Sequence, residues 1–278
     1  MLVNLNEVLK YAEEHKCAIG AFNTPTSESL RAIIENAEEL NVPVIIMHAE
    51  LHEPIAPLRL IGPMMVAAAK AAKVPVCVHL DHGEHIEYVK EALECGFTAV
   101  MYDGSRLPYE ENVKNTKIVV EMAKKYHASV EAEIGALAAR EGGESANGGA
   151  VYTEPNEAKM FVDATHIDAL ACSFGTAHGV YKVKPKLDFE RIQVIRQLIN
   201  IPLVMHGGSG LPAEDYIQAM ERGVEKINYC TYMMRAGYAA VKEAVQQEQT
   251  DVFHKLADVA YKAMKEDSLK AMKVFYRK

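Results

Sequence analysis

The chain has 278 residues, of which 49% are hydrophobic and 24% are charged, and its formal net charge is −8. This composition is that of a globular protein with enough apolar residues to bury a full core, and the length fits one barrel or one large α/β domain. Because the chain is acidic and has no run of Lys and Arg, we expect it to bind neither nucleic acid nor an anionic membrane. The N-terminal segment contains acidic residues and no long apolar core, which predicts neither a signal peptide nor a membrane anchor.

The cysteines are scattered along the chain, and no two of them form a CxxC pair. This pattern is typical of reduced thiols in the cytoplasm and not of disulfides or a structural zinc site. We therefore expect a cytoplasmic protein. The cysteines are Cys17, Cys77, Cys95, Cys172 and Cys230.

In chain order, short apolar segments rich in β-branched residues alternate with amphipathic segments of helical length. The predicted strands are CAIGAF, VPVIIMH, VPVCVHL, TAVMYD, ASVEAEI, IDALACSF, IPLVMHG and VEKINY. The helical segments between them are SLRAIIENAEEL, MMVAAAKAAK, IEYVKEALECG, ENVKNTKIVVEMAKKY, EAKMFVDAT, FERIQVIRQLI and AEDYIQAMERG. Alternation of this kind predicts a parallel sheet with both faces buried.

Eight strand–helix units in about 250 residues match a (β/α)8 TIM barrel, with an additional C-terminal helix after Gln249. An open, doubly wound α/β sheet would show the same alternation and remains the alternative. No linker rich in Pro, Gly or Ser divides the chain, so residues 1–278 are expected to form a single domain. Residues 135–155 and 175–188 interrupt the alternation, and long segments of this kind often serve as lids or binding loops.

Polar side chains occur where the predicted strands end. In a TIM barrel the C-terminal ends of the strands and the following loops form one rim, which carries the active site. Carboxylate, imidazole and amide groups are therefore predicted to gather on that rim. They are Asn23, Asp81, His82, Asp103, Glu131, Glu133, His178, His206 and Asn228.

Three of these rim residues, His82, His178 and His206, are histidines followed by glycine. A catalytic zinc site typically has three protein ligands and an open position, and imidazole is a favoured ligand. A glycine after the ligand allows backbone and substrate to approach closely. The three histidines are therefore predicted to bind zinc. His79 is expected in the core, His85 at an exposed helix start, and the other histidines, His48, His52, His127, His166 and His254, outside the site.

The segment HGGSG, residues 206–210, precedes a predicted helix. Backbone N–H groups of a glycine-rich loop at a helix N-terminus bind phosphate well, and barrels often place such sites after the seventh and eighth strands. Asn228 and Thr231, after the eighth predicted strand, belong to the same quadrant.

The motifs LDHG, EAEIG, FGTAHGVYK, HGGSG and NYCT, in this order, resemble those of the class II, zinc-dependent ketose-bisphosphate aldolases, which include fructose- and tagatose-bisphosphate aldolases. The resemblance runs from about residue 22 to about residue 245. It implies a cytoplasmic lyase of carbohydrate metabolism, as in glycolysis, and a homodimer or homotetramer. The implied reaction is reversible aldol cleavage of a ketose (bis)phosphate, by default fructose- or tagatose-1,6-bisphosphate, to dihydroxyacetone phosphate and an aldehyde through a metal-stabilised enediolate.

The resemblance also implies roles for particular residues. His82, His178 and His206 correspond to the zinc ligands, with Glu133 beside the metal. Asp81 corresponds to the acid/base at the C4 hydroxyl, and Glu141 to the group that exchanges the proton on the enediolate carbon. A monovalent cation near the phosphate is a further expectation. The implied dihydroxyacetone-phosphate site consists of Gly179, Lys182, Gly207, Gly208, Ser209, Asn228, Tyr229, Cys230 and Thr231.

Several positions depart from the family pattern. Arg106 replaces a histidine, Ala49 replaces a serine, and ALAAREGG, with Arg140, replaces a Gly-Gly pair before Glu141. Cys230 and Tyr232 lie where an acidic residue is usual, and the nearest basic residue is Arg235. One hypothesis that explains these departures is a different anionic or phosphate-free ketose as substrate. Its specificity would come from Asn23, Arg106, Arg140 and Arg235. Neutral drift in an ordinary bisphosphate aldolase explains the departures equally well. A non-catalytic accessory subunit and a zinc hydrolase are the alternatives from other classes.

Overall fold

The computed structural model describes residues 1–137 and 151–278. No helix in these two ranges is both long enough and apolar enough to cross a membrane. The strands are β1 (Leu2–Val3), β2 (Ile19–Asn23), β3 (Val44–Ala49), β4 (Val76–Gly83), β5 (Ala99–Tyr102), β6 (Ser129–Ile134), β7 (Ala169–Cys172), β8 (Leu203–Met205) and β9 (Val224–Tyr229). The α-helices are α1 (Leu5–His15), α2 (Ser27–Leu40), α3 (Leu58–Ala71), α4 (Ile86–Cys95), α5 (Tyr109–Lys124), α6 (Pro155–Thr165), α7 (Phe189–Leu198), α8 (Ala213–Glu221), α9 (Thr231–Gln246) and α10 (Phe253–Phe275).

Strands β2 to β9 form a closed parallel barrel. Their order is β4-β3-β2-β9-β8-β7-β6-β5, and β4 also pairs with β5, which closes the ring. The predicted TIM barrel is confirmed, and the open sheet is wrong. The strands are buried on both faces because helices cover the outside and side chains fill the inside; β3, for example, is buried along its whole length.

The N-terminal segment adds two elements that the strand pattern did not predict. The short strand β1 pairs with the start of β4, with Leu2 opposite Val76. Helix α1 begins with a capping box, in which Asn4 and Glu7 satisfy each other's backbone N–H groups. It contacts β9, β4 and β6, which lie on different sides of the ring. It therefore lies across the N-terminal mouth of the barrel and leaves the C-terminal mouth for the site.

The predicted C-terminal helix is α10, which packs against α9 and α2. Its last residues contact the first barrel strand: Ala18 N donates to Phe275 O at 3.1 Å, and Gly20 N donates to the Tyr276 hydroxyl at 3.1 Å. That hydroxyl donates in turn to Pro43 O. The segments that precede β2 and β3 are thereby fixed to the end of α10.

Candidate active site

His82 lies at an irregular end of β4. The pairing of β4 with β5 shifts register between Leu80 and Gly83, and His82 has φ +44°, in the left-handed region that non-glycine residues rarely adopt. Such irregularities redirect side chains at barrel rims. A Cβ on Gly83 would lie 2.8 Å from Met101 O, so the close packing of β4 on β5 requires glycine here.

The ring nitrogens of the three predicted metal ligands converge. His82 Nε2 lies 2.8 Å from His206 Nδ1 and 3.3 Å from His178 Nε2. With zinc–nitrogen distances of about 2.0–2.1 Å and tetrahedral angles, ligand nitrogens lie roughly 3.3 Å apart. The spacing therefore fits a small divalent ion bound by His82, His178 and His206.

Two carboxylates, one buried and one partly buried, fix which ring nitrogens face the centre of this group. Asp103 Oδ2 lies 2.7 Å from His82 Nδ1, and Glu131 Oε1 lies 2.8 Å from His206 Nε2. An ionised carboxylate only accepts hydrogen bonds, so these ring nitrogens carry the protons and the opposite nitrogens present lone pairs. Two lone pairs 2.8 Å apart repel unless a cation lies between them. The donor set therefore fits a metal ion, with the carboxylate–histidine pairs typical of such sites.

His178 is positioned by contact between two loops. The hydroxyl of Tyr181, in the loop after β7, accepts from Ala177 N at 2.9 Å and donates to Gly207 O, in the loop after β8, at 2.8 Å. Gly207 has φ +63°, and a Cβ there would lie 2.5 Å from Ala177 O. Glycine after His206 therefore lets the loop that carries His178 approach His206.

Asp81 is buried between two side-chain amides beside the histidines. Its Oδ2 accepts from Asn23 Nδ2 and its Oδ1 from Asn228 Nδ2, both at 3.0 Å. Burial alone would raise the pKa of Asp81, but neighbouring cationic groups outweigh burial and hold the pKa below its ordinary value; they are the imidazoles of His82 and His206, when these are protonated, and the Lys226 ammonium. Asp81 is thus an ionised carboxylate whose orientation is fixed.

Glu133 lies on the other side of His82. Ligand atoms of His82, Asp103 and Glu133 all lie within 4.8 Å of one another, so they form a second group that could hold a metal ion. Burial, and after it the charge of Asp103, raise the pKa of Glu133 well above its ordinary value. Asn112 Nδ2 holds the strand here by donating to Glu133 O at 2.9 Å.

A pocket opens beside Asp81 and His178 at the N-terminus of α9. Cys230 N donates to Ser209 Oγ at 2.9 Å, and Gly208 N donates to Asn228 O at 3.2 Å, so the loops after β8 and β9 are joined. A helix N-terminus of this kind favours an anion. The pocket is lined by Asn23, Asp81, His178, Gly179, Gly207, Ser209, Asn228, Tyr229, Cys230 and Thr231.

Comparison with known proteins gives a match over nearly the whole chain. The family model described as class-II fructose-bisphosphate aldolase matches residues 3–278. The chain belongs to this family. Class II aldolases are metal-dependent lyases that carry out aldol cleavage, so the protein is an aldolase, and His82, His178 and His206 form one group that could hold the metal ion.

Solved structures of class II aldolases have the same architecture. The YdjI aldolase of Escherichia coli K12 is 34% identical, with a TM-score of 0.88 over 99% of this chain and 97% of that chain. A Coccidioides immitis protein provisionally assigned as a fructose-1,6-bisphosphate aldolase is 29% identical, with a TM-score of 0.89 over 98% and 96% of the two chains. The fructose-bisphosphate aldolase of Campylobacter jejuni, 22% identical over 99% and 95%, has a TM-score of 0.78 and shows the fold alone.

The structure brings most of the residues predicted for the site together, with some exceptions. Gly208 does not belong to the described lining of the pocket, but its N–H donates to Asn228 O and so joins the loops after β8 and β9. Lys182, Arg106 and Arg235 are exposed and do not belong to the described lining of the pocket. Asn23, predicted to contribute to specificity, lines the pocket and donates a hydrogen bond to Asp81 Oδ2. Glu141 and Arg140 lie outside the described residues.

Three residues of the aldolase site received no role in the sequence analysis. Asp103 and Glu131 were placed on the rim, but nothing in the sequence paired them with particular histidines. Lys226 received no role because it lies within β9, where it is fully buried, and not at the end of the strand. A lysine in the middle of a predicted barrel strand, two residues before Asn228, is the signal that could have found it.

Proposed function

We propose that this aldolase uses zinc to cleave a ketose (bis)phosphate reversibly into dihydroxyacetone phosphate and an aldehyde. The observation that carries this proposal is the position of Asp81. The carboxylate is held by two amides, with Oδ1 4.0 Å from His82 Nε2, and it lines the pocket at the start of α9. A general base, a metal-binding group and an anion-binding helix terminus are thereby adjacent.

The residues divide the chemistry between them. Zinc held by His82, His178 and His206 would supply a Lewis acid for the ketone oxygen. Asp81 takes the proton of the C4 hydroxyl while the C3–C4 bond breaks, so that the C4 aldehyde forms and the electron pair of the bond moves onto C3. The resulting enediolate regains a proton at C3, for which we propose Glu141. Glu133, with Asp103, provides an alternative carboxylate contact for the metal.

The donor phosphate is proposed to bind among the backbone N–H groups of the loops after β8 and β9, with Ser209, Asn228 and Thr231 in contact and Lys182 nearby. Support comes from the lining of the pocket and from the N-terminus of α9 that opens onto it. A monovalent cation beside the phosphate is part of the proposal. We further propose a cytoplasmic homo-oligomer that acts on a small sugar phosphate in carbohydrate metabolism.

The default substrates are fructose- and tagatose-1,6-bisphosphate. A different anionic or phosphate-free ketose is the alternative, because Arg106 replaces the usual histidine after β5. Arg106 and Arg235 are exposed, so a contact with the far end of the substrate requires these long side chains to reach the rim. A survey of aldehydes with dihydroxyacetone phosphate as donor would decide between the two, since ordinary turnover of either bisphosphate removes the case for an altered acceptor.

The first test is C–H exchange of dihydroxyacetone phosphate in heavy water, followed by NMR, with free dihydroxyacetone in parallel. This half-reaction needs metal, base and donor site but no acceptor. We expect exchange of the phosphate ester that a chelator abolishes and that zinc restores. Exchange of free dihydroxyacetone alone would indicate a phosphate-free ketose. No exchange of either by zinc-loaded protein would refute the proposal in favour of an accessory subunit or a hydrolase.

Replacement of a single ligand tests the metal site itself. His178→Ala should bind zinc more weakly and lose exchange activity, because two imidazoles remain of three. Zinc content measured by atomic absorption, together with the exchange rate, checks this. A variant with normal turnover would refute the assignment of His178.

A further inference from the structure

Lys226 lies inside the barrel beneath the active site. It belongs to β9 and is fully buried. Its Nζ lies 2.8 Å from Glu131 Oε2 in an ion pair with 0% exposure of both side chains, and it donates to Asn228 Oδ1 at 2.8 Å. One ammonium group therefore contacts two side chains that each hold a different part of the site.

The first contact leads to a metal ligand. Glu131 uses Oε2 for Lys226 and Oε1 for His206 Nε2, at 2.8 Å each. The ammonium group balances the charge of Glu131, so the carboxylate can remain ionised in the core and accept the ring proton of His206. The nitrogen left with a lone pair, His206 Nδ1, is the one that faces His82.

The second contact leads to the catalytic carboxylate. An ammonium group only donates hydrogen bonds, so the side-chain oxygen of Asn228, and not its nitrogen, must face Lys226. The amide nitrogen of Asn228 is thereby left to donate to Asp81 Oδ1 at 3.0 Å. Lys226 thus fixes which way round the amide of Asn228 lies, and the amide fixes Asp81.

We propose that Lys226 is a positioning residue that couples the metal-binding histidine His206 to the general base Asp81, through Glu131 on one side and Asn228 on the other. This inference rests on the proposed function of the same site. The proposal explains why a lysine lies at this buried position. A buried ion pair by itself contributes little to stability, because apolar residues often replace such pairs without loss of stability. A lysine at this depth is explained by the two orientations that it sets.

The test compares Lys226→Met with a double variant that also carries Glu131→Gln. Methionine has a similar length and no charge, so Glu131 loses its partner and Asn228 Oδ1 loses its donor. We expect zinc affinity, measured by competition with a chromophoric chelator, to fall by about 10- to 100-fold, as for other residues that orient ligands. The kcat for cleavage of fructose- or tagatose-1,6-bisphosphate, which needs Asp81, should fall at least about tenfold. The change in KM should be smaller, because the backbone N–H groups proposed to bind the phosphate are retained.

The double variant separates the two contacts. The side chain introduced by Glu131→Gln is neutral, and its amide oxygen can still accept from His206 Nε2, so zinc affinity and the urea midpoint should largely recover. The kcat for cleavage should stay low, because Asn228 still lacks its donor and Asp81 is not held in place. Recovery of zinc affinity, stability and cleavage together would show that Lys226 only neutralises Glu131, and it would overturn the proposal. Wild-type zinc affinity and cleavage kcat in Lys226→Met itself would also overturn it.

A matched control is available far from the site. Lys265 and Glu35 form a lysine–glutamate pair of the same length, 2.8 Å, between α10 and α2. Lys265→Met should change stability without changing zinc affinity or the kcat for cleavage, and an equal loss of zinc affinity there would mean that the effect of Lys226→Met is global. The visible spectrum of cobalt-substituted protein reports His206 geometry without turnover. If wild-type protein fails to exchange dihydroxyacetone phosphate, the proposed function fails, whereas zinc affinity and this spectrum still test the contact through Glu131.

Discussion

Asp103→Ala removes the hydrogen-bond acceptor for His82 Nδ1, a contact of 2.7 Å between partly buried groups. Hydrogen bonds to charged groups contribute about 1.5–3 kcal/mol, and about 1.4 kcal/mol corresponds to a tenfold change in affinity. His82 also holds its backbone at φ +44°, a conformation that costs on the order of 1–3 kcal/mol and persists only where its surroundings enforce it. Without Asp103 the ring can rotate and the backbone can relax, so we expect zinc affinity to fall by about 10- to 150-fold.

Asp103→Asn is the matched variant, because its side-chain oxygen still accepts from His82 Nδ1. It should lose less than half of the free energy that Asp103→Ala loses. Both variants are titrated with zinc against a chromophoric chelator, and urea unfolding of chelator-treated protein measures the loss of the contacts from Asp103 Oδ1 to Ser105 N and Oγ, at 3.1 and 2.7 Å. Wild-type zinc affinity in folded Asp103→Ala would refute the claim that this carboxylate orients His82.

Three further changes test two other parts of the site and one buried histidine outside it. Asp81→Asn should keep zinc but slow cleavage by about 10²- to 10⁴-fold, measured as kcat, and loss of zinc instead would mean that Asp81 has another role. Tyr181→Phe leaves Ala177 N and Gly207 O without their partner, so we expect about 1–3 kcal/mol lower stability in urea and a higher KM for dihydroxyacetone phosphate; unchanged values would show that the two loops hold each other without it. Burial, and next the charge of His52, lower the pKa of His48 from 6.5 to about 4. The unfolded chain therefore binds the extra proton between these values, and stability should fall by about 2–3 kcal/mol as the pH drops from 7 to 4.5, a loss that His48→Gln should reduce in urea titrations.

The barrel could be predicted because its strands are buried on both faces and its helices on one. The strands therefore appear in the sequence as short apolar segments and the helices as amphipathic ones. The convergence of His82, His178 and His206 could be predicted because parallel strands bring their C-terminal ends to one rim. Strand β1 could not, since two residues show no periodicity. The left-handed backbone of His82 could not be predicted either. It follows from the register shift between β4 and β5, and that shift depends on residues distant in sequence.

The positions of the loop arginines lay beyond sequence reasoning for a different reason. Arg106 follows β5 in a loop without periodicity, so its direction depends on local turns and not on a repeating pattern. Lys226 shows the opposite limit. Its place on β9 was predictable, but its partner Glu131 lies on β6, and the pairing depends on the size and tilt of the closed ring.

The contact between α10 and the first barrel strand also bears on how the protein is made. The ribosome synthesises a chain from its N-terminus, at about 5–20 residues per second. Strand β2 leaves the ribosome early, but its outer neighbour α10 and its sheet neighbour β9 are among the last elements to be synthesised. A nascent chain therefore carries an apolar strand with one unpaired edge during most of its synthesis. Ribosome-bound chains stalled before residue 224 should be cleaved by protease near β2, whereas the completed protein should resist cleavage there.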